Sequence, residues 1–362
     1  MLVEEDLGFR KIQHTGRDSY IISLPKEWMT SVGLSKGDQL AFKIQEDSSL
    51  LLVPRKILEE KDNSHRSLMR EFNVAITRRD DPQSISRRIV SLYEVGADLI
   101  RVSFREGEIT SEQKTTIRNI TRMLLGSEII AESSREISIQ ILVEQSKFPI
   151  EKAIRRMFAV ASAMDQDVTS VLKGLNEDLI NGAIDSNDDL DRLNLYVVRQ
   201  LKYGIEHNLF KEMEFRSSKE FLGYRIVAKN LKNIGDNSVG TAREILSLKK
   251  LVAGPLFSTA PIDEEVFQSV HGFHSFCHQM LEDSLKALFK RDYHLADEVM
   301  SQCISTGSQR QKDAVNLLLS KRIDQNITYI LRLILENSSK MMEYSRDIAE
   351  VTLNRTVEEL AD

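Results

Sequence analysis

The pattern of apolar and polar positions changes character twice along the chain. Between Phe9 and Lys56 apolar residues come in short runs, FRKIQ, SYIISLP, QLAFKIQ and SLLLVP, several of them alternating with polar neighbours as strands do. PKEWMTSVG reads as one short helix among them, with Pro25 in its first turn, where the missing N–H costs nothing, and Gly33 at its end. GLSKGD is a turn. A unit this small hides too little apolar surface to fold alone. An intertwined dimer is therefore expected.

KILEEKDNSHRS, Lys56 to Ser67, is polar and marks a linker. From Leu68 to Lys147 strand and helix patterns alternate. MREFNVAIT, DLIRVSF, EIIAES and EISIQILVEQ read as strands, and DPQSISRRIVSLYEVGA and TSEQKTTIRNITRMLLG as amphipathic helices. Asp80 or Asp81 caps the first helix, with Gly96 near its end, and Thr110 and Gln113 stand at capping-box spacing before the second. This is the pattern of a small α+β layer with helices on one face of a sheet.

After Pro149 the strand pattern stops. Ile154, Met157, Phe158, Ala161, Met164, Val168 and Val171 recur at helical spacing, and DDLDRLNLYVVRQLKYGIEHNL and KEFLGYRIVAKNLKNIGDNSVGTAREILSL continue it. VAGPLFSTAP interrupts the helices, and more helices follow. MDQDVTSVL (164–172) matches MLEDSLKAL (280–288), and KNIGDNSVGTARE (232–244) parallels SKMMEYSRDIAEV (339–351) with Asp236 opposite Glu343. Two matches in the same order indicate a duplicated helical unit, each copy covering the other's apolar face. The expected divisions are residues 1–58, 68–147, 149–250 and 261–360.

Composition adds exclusions. Of 362 residues, 41% are hydrophobic and 29% charged with both signs interspersed, so the net charge of -6 singles out no partner. The acidic start MLVEEDLGFRK and the absence of any apolar run near 20 residues predict a cytoplasmic protein without leader or membrane span. Cys277 and Cys303 lack metal-pair spacing and are expected to be buried thiols. No phosphate loop, nucleophile elbow or H-E-x-x-H is present, so no enzyme activity is expected.

RLNLYVVRQL behind an acidic run, and YRIVAKNLKNIGDNSVGTARE, resemble the two signature helices of the PhoU family of phosphate-signalling proteins. DIAE at 347–350 is similar to the end of that family's second repeat. RKIQHTGRDSYIISLPKEWMTSVGLSKGD is similar to the AbrB/SpoVT swapped-hairpin DNA-binding domain. RRIVSLYEVGADLIRVSF, LLGSEIIAESS and KAIRRMF resemble the insert of archaeal proteins that fuse the two. The resemblance implies a multidomain fold: a small β-rich swapped-hairpin domain, an α+β middle domain, and an all-α PhoU-like bundle of two three-helix repeats. It implies a DNA-binding transcriptional regulator of phosphate uptake and homeostasis, acting as a homodimer on DNA. The alternatives are an adaptor that inhibits a phosphate transporter or signalling kinase by protein contact, and a metal-binding helical protein.

Candidate site residues follow in three groups. Arg10, Lys11, Arg17 and Lys26, with the hydroxyls of Thr15 and Ser19, are the candidates for DNA contact, although residues 1–56 carry as many acids as bases. Trp28 is read as a core anchor of the small dimer. PhoU proteins hold metal clusters through acid-x-x-x-Asp pairs, for which this chain has Asn187 and Asp191, Lys232 and Asp236, about Cys303 and Gly307, and Ser339 and Glu343. Asp191, Asp236 and Glu343 remain as metal candidates, but no pair is complete, and Lys232 is expected to pair with Asp236 where a cation would sit. A divalent or transition metal is thus a weak expectation and no cofactor is assigned. His271, His274 and His278 line one helix face and form the third group. A straight helix spreads them over about 10 Å, so two of them plus a partner helix would be needed to hold an ion. Asp185, Asp188 and Asp189 are read as carboxylates at a helix start.

Overall fold

The computed structural model describes residues 9–16, 19–44, 48–56, 69–105, 107–143, 148–170, 177–251 and 263–360. The linker at 57–68 and the break at 252–261 fall outside these. By packing, the chain divides into two units, Met1–Arg70 and Glu71–Asp362.

The first unit consists of two separate antiparallel hairpins and a short helix: β1 (Gln13–Thr15) with β2 (Ser19–Ile21), α1 (Lys26–Ser31), and β3 (Leu40–Ile44) with β4 (Leu50–Pro54). Pro25 stands just before α1 as its N-cap, one place earlier than the first turn, because its ψ of 130° is still extended. Asp38 braces the turn after α1 by accepting from the Ser35 N–H (2.9 Å) and from Lys56 (3.1 Å), contacts that hold its carboxyl below its ordinary pKa. No side chain of α1 is buried, Trp28 being half-exposed. Tyr20 (74%), Phe42 (63%) and Ile44 (83%) face solvent. Among its described residues the unit has strands, turns and one short helix but no hydrophobic core of its own.

The second unit begins with a four-stranded sheet in the order β5 (Glu71–Ile76), β6 (Leu99–Phe104), β8 (Glu136–Ile141), β7 (Ser127–Glu132). β5 and β6 are parallel, joined through α2 (Pro82–Glu94), while β8 runs antiparallel to both its neighbours. Asp81 is the cap of α2 and accepts from the Ser84 N–H at 2.8 Å. α3 (Ser111–Met123) opens on a complete capping box between Thr110 and Gln113. α2 ends in a Schellman turn: Ala97 N–H bonds Leu92 O and Gly96 N–H bonds Tyr93 O, with Gly96 at φ 94°, a conformation costly for any residue with a Cβ. Ile76, Ile85, Ile89, Ile100, Ile117 and Ile137 fill the space between helices and sheet.

The remainder is helical. α4 (Ile150–Ser170), α5 (Glu177–His207) and α6 (Glu220–Leu251) form one three-helix unit. The other comprises α7 (Glu264–Lys290), α8 (Tyr293–Gln302) running through a π turn (Cys303–Gly307) into α9 (Ser308–Ser320), and α10 (Gln325–Thr356). Helical angles persist across the π turn, so 293–320 is one helix with a local widening. The described part of the 164–172 segment, 164–170, and the 280–288 segment fall on the first helices of the two units, and 232–244 and 339–351 on the third.

The two units share one core. Their third helices cross antiparallel, Asn230 bonding Asp347 (3.1 Å) at one end and Asn337 bonding the Asn237 carbonyl (3.2 Å) at the other. The first helices also run antiparallel: Arg155 lies over the Phe289 ring (3.7 Å), and farther along α4 Thr169 meets His274 (3.1 Å). α5 starts well before the expected point, at Glu177. Its first three turns, EDLINGAIDSN, are poor helix formers, held by Ile180 and Ala183 in the core. Asp185, Asp188 and Asp189 therefore lie inside the helix, and the reading of them as start-of-helix carboxylates is corrected.

Candidate functional site

In the hairpin unit, Arg10 and Lys11 precede β1 and are exposed, as is Lys26, the first residue of α1. Thr15 and Ser19 are cross-strand partners at the end of the first hairpin, bringing both hydroxyls to the same turn. Arg17 lies outside the described residues. Among the described ones, the basic candidates are solvent-facing side chains on a scaffold of backbone hydrogen bonds.

A different kind of site lies inside the bundle, where α4 meets α7. Four residues make one helical turn, so His274 and His278 project toward the same part of α4. There Asp165 reaches both, its Oδ2 lying 3.1 Å from His274 Nε2 and 3.2 Å from His278 Nδ1. All three side chains are largely shielded from solvent (8%, 11% and 15% exposed). Burial opposes the charge on Asp165, but the two imidazoles outweigh it and hold the carboxyl at about 2. The hydrogen bond to Asp165 raises the pKa of His278 against the opposing effect of burial, with Asp165 and Glu282 adding charge. His271, one turn earlier, stacks on Phe267 (5.7 Å between centroids) and does not join them.

The Thr169 hydroxyl donates to the Asp165 carbonyl (2.7 Å), and the Ser338 hydroxyl to the Ile334 carbonyl (2.7 Å). Each hydroxyl has one hydrogen. Ser338 Oγ therefore accepts from His274 Nδ1 (3.0 Å), while Nε2 faces two acceptors, Asp165 Oδ2 and Thr169 Oγ1 (3.1 Å). Nε2 needs a proton or a cation in front of it. Beside it is a cavity of about 20 Å³, enough for one water, lined by Asp165, Thr169, His274, Asn237, Thr241 and Asn337 among others. Sequence spacing picks out the histidines but not Asp165, which lies in MDQDVTSVL, a segment legible only as one half of an internal repeat.

Arg199 was also missed. It stands on α5 in RLNLYVVRQL, where charge next to an apolar run reads as a helix edge. It is 3% exposed, and its Nη1 donates to the carbonyls of Tyr93 (2.7 Å) and Ala97 (2.8 Å), closing the Schellman turn of α2. This joins the α+β layer to the bundle.

Residues 154–245, the three helices α4 to α6, match the family model of the PhoU domain. Over these residues the chain is similar to the PhoU domain. Residues 13–59 match the model described as antidote-toxin recognition MazE, bacterial antitoxin, so a head of the MazE/AbrB type precedes the PhoU bundle. A solved structure, PhoU from Pseudomonas aeruginosa, aligns with 58% of this chain and 96% of its own at 13% identity and a TM-score of 0.43. No curated protein matches the chain.

At the acid-pair positions of this PhoU bundle, the residues do not fit a metal cluster. Lys232 Nζ sits between Asp191 (2.9 Å) and Asp236 (2.7 Å), on two different helices. Burial disfavours its charge, but hydrogen bonds to Asp236 and Asp191 prevail and raise its pKa. Asn187 Nδ2 reaches Asp236 at 3.5 Å. In the second repeat Cys303 is buried, and a Cβ at Gly307 would stand 2.3 Å from Met342 Sδ, leaving no room for a carboxylate. Ser339 turns back to the Leu335 carbonyl (2.8 Å) and Glu343 is exposed.

Proposed function

We propose that this chain is a DNA-binding transcriptional regulator of phosphate uptake and homeostasis, a cytoplasmic homodimer and not an enzyme. The observation that carries this reading is the presence of a MazE/AbrB-type head and a PhoU domain on one chain. Dimerisation is supported by the head's physical state: two isolated hairpins with Tyr20, Phe42 and Ile44 in solvent. A two-stranded hairpin is marginal by itself, and a second copy is the simplest source of the missing core. Exposed Arg10, Lys11 and Lys26 then supply phosphate contacts from both copies.

The test is mapping of bound DNA in cells under phosphate limitation and excess, followed by binding of the recovered sites in vitro. Affinity should fall steeply with salt. Lys26→Ala should weaken binding to all sites alike and lower the slope of log K against log salt by about 2, one contact being lost from each copy. If the folded, dimeric protein binds no DNA at low salt, the reading is lost. The adaptor alternative is favoured by Leu222 and Ile226, exposed one turn apart on α6. A phosphate phenotype that survives loss of DNA binding would select it.

A further inference from the structure

We propose that Asp165, His274 and His278 form a binding site for one divalent transition-metal ion of the Zn2+ or Fe2+ class, set in the seam between the two PhoU repeats. The three donor atoms lie within 4.8 Å of one another. The two measured edges, 3.1 and 3.2 Å, are close to the roughly 3.3 Å between ligands of a tetrahedral ion with bonds of about 2.0–2.1 Å. The third edge, between the two imidazole nitrogens, is at most 4.8 Å, so an ion would draw them together by up to about 1.5 Å. Two imidazoles and one carboxylate are donors suited to zinc and to ferrous iron, and poorly suited to magnesium or calcium.

Three independent features make this a built site. His274 Nδ1 is held by Ser338 Oγ, which fixes the ring and directs Nε2 at Asp165, the outer hydrogen bond typical of ligating histidines. Nε2 faces acceptors only, a position that a cation satisfies as well as a proton does. The adjoining cavity of about 20 Å³ leaves space for a water in an open coordination position. Around His278, Gln166 (3.0 Å) and Ser162 (3.1 Å) meet Nε2, leaving Nδ1 for the ion.

The placement has a consequence. Asp165 belongs to the first helix of one repeat and both histidines to the first helix of the other. Binding the ion requires that they stay together, so occupancy closes the seam and its loss relaxes it. The site is separate from the Lys232 position, and it stands or falls independently of DNA binding.

The experiment uses the full chain stripped with chelator and titrated with Zn2+, and with Fe2+ under anaerobic conditions, against a competing chelator. One ion per chain should bind, and the transition temperature should rise with it. Asp165→Asn, His274→Gln and His278→Gln should each weaken binding by more than about 100-fold, and Ser338→Ala by about 10–100-fold, as loss of an outer hydrogen bond does. His271→Gln should leave it unchanged. Co2+ substitution should give a visible d–d spectrum in wild type that is lost in Asp165→Asn. That readout separates ligation from folding, since circular dichroism establishes whether each variant is folded. Stoichiometric binding unaffected by the three ligand variants, or no stoichiometric binding by the folded wild type, overturns the proposal.

Discussion

Replacing Arg199 by Met tests how the α+β layer is held to the bundle. Nη1 makes two charge-assisted hydrogen bonds, at 2.7 and 2.8 Å, to carbonyls that end α2, and Nη2 lies 3.4 Å from Asp98. After the substitution Tyr93 O still accepts from the Gly96 N–H. The loss there is that of one hydrogen bond to a charged group, about 1.5–3 kcal/mol in general. Losing the Ala97 O bond adds about 1–3 kcal/mol for a carbonyl deprived of its donor. The Met chain fills much of the space, and Asp98, 29% exposed, rehydrates. The two losses add to about 2.5–6 kcal/mol, and the Met packing brings the expectation to the lower half of that range. Urea denaturation of the full chain, followed by hydrogen exchange at the α2 C-terminus, should show this loss concentrated in the layer, with earlier exchange at Val95 to Ala97. Asp98→Asn should cost less than Arg199→Met, because Asp98 is 29% exposed and an amide oxygen there can still accept from Nη2. A change below about 0.5 kcal/mol in Arg199→Met would refute the argument that these bonds fasten the layer.

Three further outcomes follow from the same reasoning. Lys232→Met leaves Asp191 and Asp236 facing one another without a cation and should cost about 1–3 kcal/mol, discounted from the fully buried case because both carboxylates are partly exposed. Millimolar Mn2+ should recover part of that loss in the variant and have no effect at this position in wild type, measured by thermal denaturation of both. Gly126→Ala should destabilise by about 2 kcal/mol or more, since Gly126 has φ 73° and the added Cβ would lie 2.4 Å from Val143 Cβ and 3.0 Å from its backbone nitrogen. Asp80 has its pKa lowered by hydrogen bonds from the Thr77 hydroxyl and backbone and by Arg88. Its contribution is thus complete above the unfolded value near 3.8 and disappears as pH falls through the lower folded value. Asp80→Asn should flatten the acid limb of a stability–pH curve below about pH 4, and an unchanged limb would contradict this.

Local chemistry was legible where it is enforced locally. Asp81, Thr110 and Gln113 reach their partners within three residues, and the caps follow from spacing alone. The start of α5 was not legible, because Asn181, Gly182, Ser186 and Asn187 all favour turns, and only packing of Ile180 and Ala183 against other helices overrides them. The same tertiary override turned Asp188 and Asp189 from caps into mid-helix residues. At the candidate metal site the histidine spacing showed that two of three could act together. The carboxylate that completes the set comes from 113 residues away along the chain, a pairing that depends on how the two repeats dock. Arg199 was hidden for a similar reason: its acceptors are main-chain carbonyls, which leave no mark in a sequence.

The two charged clusters of the bundle solve opposite problems. At Lys232 a side chain supplies the positive charge between two acids on different helices, so α5 and α6 are held by a fixed ammonium that no change in solution composition removes short of deprotonation. At Asp165 the positive charge is exchangeable, because an imidazole proton and a metal ion compete for the same nitrogen atoms. The first cluster lies within one repeat and the second between repeats. A bundle so arranged has an ion pair fixed inside one repeat and, between the repeats, imidazole nitrogens that either a proton or a cation can satisfy. Arg199 transmits any movement of α5 directly to the end of α2, since its guanidinium is anchored to the main chain there and not to a flexible side chain.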